Sequence, residues 1–261
     1  MLLSDVDFRD GGVVPKLNTL VLRTKHPERQ RAFYRQVFGM SNQAGGGLGY
    51  AESQLSIRFE QARTGYQPQP TDLYWKIAIA VPNIELAYEQ LTAQGVTIGE
   101  PEQFRDIGYL TQAYDPEGFN VEIIEHWFKG HRPKVAVDSS LLGGGPHINL
   151  LTLRTPDISV LEPEILAAGM KALSVQRVEA LGFTLYFYAD TADKPPNPQL
   201  EAIENRTWVY TRPYTVLEVQ HVASLVCETA PCDAAAGYVG TELSQCSHRV
   251  RIPSLKLRGG T

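Results

Sequence analysis

The densest group of soft metal donors in the chain is Cys227, Cys232, Cys246 and His248, near the C-terminus. Thiolate and imidazole together suit zinc, but the spacing C-x4-C-x13-C-x-H is not one of the usual knuckle patterns, so the reading is of unrelated thiols. Four tail cations follow, Arg249, Arg251, Lys256 and Arg258. They can touch an acid ligand or nucleic acid, although a solvated terminus is the plainer reading. The glycines Gly45 to Gly47 lack the Lys and Ser/Thr of a phosphate-binding loop and read as a flexible loop at a cleft edge. Tyr109 and Tyr114 precede the turn Asp115-Pro116-Glu117-Gly118. Their odd separation sends them to opposite faces of a strand, so one packs and the other can meet a ligand.

These residues need elements to hold them. LNTLVLR, from Leu17, alternates as a strand does, and Lys25 to Met40 carries Pro27 at a helix start with Phe33, Val37 and Phe38 at helical spacing. A glycine-rich turn and the strand SQLSIRFEQ complete a unit. The order recurs 57 residues later: the strand YWKIAIAV from Tyr74, a helix capped by Asn83 and stopped by Gly95, then a hairpin through DPEG. A third copy starts with INLLTLRT and continues with a helix from Ile158 to Met170 and the strands LSVQRVEA and FTLYFYAD. An insert, TADKPPNPQLEAIENR, leads to TWVYTRPYTVLEVQHV, read as another strand pair. Repetition at this period argues for the architecture more firmly than any single propensity.

Three strings resemble the glyoxalase I, bleomycin-resistance and extradiol-dioxygenase group, the vicinal oxygen chelate superfamily. They are LNTLVLRTKHPERQRAFYRQVFGM, IAIAVPNIELAYEQLTAQGV with YDPEGFNVEII, and FTLYFYADTADKPPNP with YTVLEVQHV, the last being closest to the first half of glyoxalase I. The resemblance covers residues 16 to 223. It implies an α+β fold in which paired βαβββ modules form curled mixed sheets around a cleft. The expected division is an N-terminal segment (1–15), a first module of two units (16–128), a linker (129–145), a second, partial module (146–223) and an atypical tail (224–261). After Val222 no further helix period or DP-G turn follows, so the second module reads as incomplete.

In this family, ligands for a divalent metal come from first-strand and fourth-strand positions. Laid on this sequence, the first-strand positions fall on Thr19, Lys76 and Leu150, the fourth-strand Glu on Glu122, and the additional glyoxalase-type Glu on Glu218, with Ser56 at its place in the first unit. A protonated Lys has no lone pair and repels a dication, so the resemblance implies an ion pair of Lys76 with Glu122 where the metal would sit. Lys76 and Glu122 are the catalytic candidates, and Thr19, Ser56, Arg58, Trp75 and Tyr109 the expected cleft lining. Glu122, Glu218 and His147 are the candidate ligands for Zn, Ni, Fe or Mn if a metal binds at all. His147 would reach such an ion only through a bulge or a register shift.

Composition narrows the function classes. Hydrophobic residues at 43% and charged residues at 20% fit a packed globular chain. A net charge of -5 gives no basic field for nucleic acid or an anionic membrane. MLLSDVDFRDGG has no basic start or apolar run, so no signal peptide is expected, and no uncharged apolar run approaches membrane-spanning length. A cytoplasmic location and a homodimer are expected, the dimer because a half-module leaves a sheet edge bare. The expected function is binding of a small organic molecule in the first-module cleft without metal. The alternative is a metal-dependent, glyoxalase I-like lyase or isomerase, or a ring-cleaving dioxygenase.

Overall fold

The computed structural model describes residues 17–43, 45–225, 236–243 and 249–250. The first unit runs β1 (Leu17–Thr24), α1 (Pro27–Gln36), β2 (Ser41–Asn42), β3 (Leu48–Gly49) and β4 (Ser56–Gln61). The second runs β5 (Tyr74–Val81), α2 (Ile84–Ala93), β6 (Glu102–Phe104), β7 (Gly108–Tyr114) and β8 (Asn120–Glu125). The third runs β9 (His147–Thr155), α3 (Ile158–Ala167), β10 (Lys171–Val178), β11 (Phe183–Ala189), α4 (Glu204–Tyr210) and β12 (Val216–His221). From the tail come β13 (Gly237–Leu243) and β14 (Arg249–Val250).

Local signals account for the helix starts. Pro27 opens α1, where its missing N–H costs nothing. Asn83 accepts from the Leu86 N–H at 3.0 Å and Asp157 from that of Ser159 at 2.9 Å, so side-chain oxygens cap α2 and α3. Asp115 fixes the DPEG turn: its Oδ1 accepts from the N–H groups of Glu117 and Phe119, and its Oδ2 from Gln30 and Tyr34 of α1.

The strands form two mixed sheets, ordered β14-β13-β1-β4-β3-β2 and β10-β11-β12-β9-β5-β8-β7-β6. In the larger sheet the second and third units meet edge to edge, β5 antiparallel to β9, with Lys76 opposite Thr152 and Ala78 opposite Leu150. This is the α+β arrangement of curled mixed sheets expected from the sequence. The units joined edge to edge in this sheet are the second and third, whereas the sequence reading pairs the first with the second. The tail strand β13 takes the edge of β1, with Leu17 opposite Leu243.

Alternation divides the larger sheet cleanly. Ile77, Ile79, Val81, Val121, Ile123, Leu151 and Leu217 pack with Ile84, Leu91, Leu161 and Ile165 of α2 and α3. Ala78, Ala80, Ile124, Leu150, Phe187 and Val216 face the other way, into an inner cluster with Val209 and Tyr210. Those last two come from α4, which corrects the sequence reading: TWVY is helical, and of the expected strand pair only β12 forms. The reason is tertiary, since a short helix lets Val209 and Tyr210 both point into the inner cluster.

Candidate functional site

Four strands, β8, β5, β9 and β12, lie side by side and aim polar groups at one point of the inner face. Lys76 Nζ donates to Glu122 Oε1 at 2.8 Å and to Glu218 Oε2 at 3.2 Å. Gln112 Nε2 donates to the other oxygen of Glu122 at 2.7 Å, and the Thr152 hydroxyl to Glu218 Oε2 at 2.9 Å. The triad is nearly shut off from solvent, with Lys76 2%, Glu122 5% and Glu218 2% exposed.

Register explains the convergence. On β8, Glu122 sits beside Ala78, and on β12, Glu218 sits beside Thr152. Each glutamate therefore lies next to the residue two positions beyond Lys76 or Leu150, and the antiparallel β5–β9 pairing relates the two halves. Glu218, assigned from the sequence to a separate module, thereby becomes a partner of Lys76. Leu150 holds the position matching Lys76 but contributes only carbon to the inner cluster.

The electrostatics follow from burial and charge. Burial opposes the ammonium of Lys76, but Glu122 and Glu218 together outweigh it and raise its pKa, so it stays charged. For Glu122, burial dominates and raises the pKa against the pull of Lys76, with repulsion from Glu218 adding to the rise.

Helix α4 covers this face. Val209 O accepts from Asn149 Nδ2 at 3.0 Å, the Tyr210 hydroxyl donates to Ile107 O at 3.0 Å, and Arg206 pairs with Asp106 at 2.6 Å. Tyr210 is fully buried, and its hydroxyl is held protonated by burial first and by Glu218 and Glu122 as well. Toward the start of β5 the face is more open: Trp75 and Arg154 are half-buried. The Arg154 guanidinium lies 4.7 Å from the Trp75 ring centre and Lys76 Nζ 5.1 Å from it, while Arg154 Nε donates to Gln220 at 3.0 Å.

The other expected site residues are placed elsewhere. Thr19 and Ser56 hydrogen-bond each other at 3.1 Å in the smaller sheet, and Arg58 stands opposite Val21 there, so these three do not line the cleft of Lys76. The first unit pairs with the tail strand rather than with the second unit, which is why. Tyr109 faces α2, donating to Glu85 at 3.0 Å, because the cleft parity on β7 belongs to Gly108, Leu110 and Gln112. Tyr114 is 48% exposed. His147 lies at the far end of the inner face, opposite Ala80, its ring beside His126. The cysteine-containing group and the tail cations fall outside the described side chains. Among the described residues no cluster of three or more His, Cys, Asp or Glu is suited to a metal ion. No helix there is long and apolar enough to cross a membrane.

Gln112, Thr152, Arg154, Gln220 and Tyr210 were not foreseen. The parity of β5 and β7 was available to find Gln112, but Thr152, Arg154 and Gln220 follow only from the pairing of β5 with β9.

The family model described as the Glyoxalase/Bleomycin resistance protein/Dioxygenase superfamily matches residues 16–123. No match was found among curated proteins. Of the solved structures, glyoxalase I from Zea mays is 18% identical, with 88% of this chain and 74% of that chain covered and a TM-score of 0.59. A glyoxalase/bleomycin resistance protein/dioxygenase from Nocardioides is 21% identical, covering 49% of this chain and 93% of that one, with a TM-score of 0.35. At these identities the maize likeness speaks for the fold alone.

Proposed function

Because residues 16–123 match the glyoxalase/bleomycin resistance/dioxygenase family model, we propose that this chain is a metal-independent binding protein of the vicinal oxygen chelate superfamily. In this reading it holds a small, uncharged aromatic or oxygenated molecule at the open end of the inner face. The observation that carries the proposal is Lys76 Nζ within hydrogen-bonding distance of both Glu122 and Glu218. A buried ammonium between the two carboxylates supplies the positive charge that a metal would bring. It offers no lone pair, and Leu150 offers no donor, so the four positions do not fit a divalent ion.

Two carboxylates against the Lys76 ammonium and the nearby Arg154 guanidinium leave no net positive charge to draw an anionic ligand. Trp75 supplies an aromatic face, and Lys76, Arg154 and Gln220 supply hydrogen-bonding groups around it. This pattern suits a molecule with a ring and neutral oxygens. With the triad closed, Lys76 and Glu122 orient and neutralise rather than react. The reading carries with it the homodimeric, cytoplasmic state expected from the sequence, checked by light scattering of the eluting protein and by cell fractionation.

Thermal unfolding with a panel of small uncharged aromatic and oxygenated compounds, with and without EDTA, tests the proposal. Stabilisation that EDTA leaves unchanged is expected. Stabilisation abolished by EDTA would point to the metal-dependent lyase or dioxygenase class. A panel without effect would favour a second reading, in which the site is structural, motivated by the way Val209 and Tyr210 fill the inner face.

A further inference from the structure

At the end of the inner face away from Trp75, two histidines come together that the site above does not use. His126 follows directly on β8, its backbone N–H donating to Val81 O at 3.2 Å. His147 opens β9 opposite Ala80, the register having shifted at Asn149. Their ring centres are 5.3 Å apart with 52° between the planes. The Nε2 atoms of both rings are buried, and neither has a hydrogen-bond partner. Two unsatisfied buried nitrogens on adjacent rings require a common explanation.

Metal–imidazole bonds of about 2.0–2.1 Å place each ring centre about 3 Å from a shared ion, so two rings at a tetrahedral ion have centres about 5 Å apart. The observed separation fits. We propose that His126 and His147 together bind one borderline divalent ion, zinc, nickel or copper, through their two Nε2 atoms, with solvent completing its coordination. Imidazole donors select such ions over magnesium or calcium.

Two further observations support the assignment. Burial holds both imidazoles well below their ordinary pKa, to about 4, so both lone pairs are available at neutral pH. Each residue is only half-buried as a whole, so the pair lies near the surface.

The site is distinct from the Lys76 triad, and so is its test. Isothermal titration of the EDTA-treated full chain with ZnCl2, NiCl2 and MgCl2 should show a zinc- and nickel-binding event and no magnesium binding. His126→Gln and His147→Gln should each weaken that event about tenfold or more, while Glu122→Gln leaves it in place. In the wild type, Cu2+ added at one equivalent should give an EPR spectrum split by imidazole nitrogen, a readout that does not depend on any variant folding. No binding by the wild type, binding unchanged in both histidine variants, or a copper spectrum without nitrogen coupling would overturn the assignment. Binding lost in Glu122→Gln and kept in the histidine variants would overturn the metal-independent reading of the triad as well.

Discussion

Lys76 decides the chemistry of this molecule because one side chain satisfies two buried carboxylates. Removing it leaves Glu122 and Glu218 facing each other with no countercharge, a loss expected to cost about 3–5 kcal/mol. Lys76→Met should therefore lower the midpoint of urea unfolding sharply. The loss should be greater at pH 8 than at pH 5.5, because Glu122, whose pKa burial already raises, must bind a proton to stay inside without the ammonium. Equal destabilisation at both values would show that the two carboxylates are not the cause. Of this triad, Lys76 and Glu122 were legible in the sequence as residues in the ligand positions of a resembling family. Their pairing with Glu218 was not, because nothing in the local pattern says which edge of β5 meets which other strand. Tyr109 shows the same limit from the other side. Its odd separation from Tyr114 put the two on opposite faces, but only the packed α2 reveals that Tyr109 belongs to the outer face and Tyr114 to solvent.

At the scale of elements, Asp115 ties helix α1 to the β7–β8 hairpin through Gln30 and Tyr34. Burial raises its pKa to about 6 against the donation of two backbone N–H groups. A carboxyl with a raised folded-state value stabilises the fold while protonated. That contribution is complete below the unfolded value near 3.8 and is lost as pH rises through about 6. Stability should thus fall across this window, by about 3 kcal/mol from this group, and the slope should flatten in Asp115→Asn. Chemical unfolding at pH 4, 5 and 6 measures it, and an unchanged slope in the variant would assign the effect elsewhere. DPEG was readable as a turn from Pro116 and Gly118, whereas the two donors from α1 lie 85 and 81 residues away in sequence and left no trace in it. Helix α4 is the clearest miss. TWVY is rich in β-formers, yet it is helical, because burial of Val209 and Tyr210 against Leu150 and Phe187 outweighs a weak local preference.

At the scale of the whole chain, repetition made the α+β architecture legible while leaving the pairing of units open. The larger sheet joins β5 to β9 across residues 129–145. A fragment ending at residue 128 would bare the apolar edge of β5 and leave Lys76 and Glu122 without Glu218, so it should aggregate rather than fold as a soluble unit. Its behaviour on a sizing column, and its circular dichroism, would show this; a monomeric, cooperatively unfolding fragment would mean that residues 16–128 stand alone. The smaller sheet has a different consequence. Strand β1 lies between β4 and β13, and Leu17 meets Leu243, which is made 226 residues later. At about 5–20 residues per second, a ribosome leaves that edge of β1 without its partner for on the order of ten seconds or more. The nascent chain thus carries an open, apolar strand through most of its synthesis. Its safe passage depends on how quickly the last strands arrive.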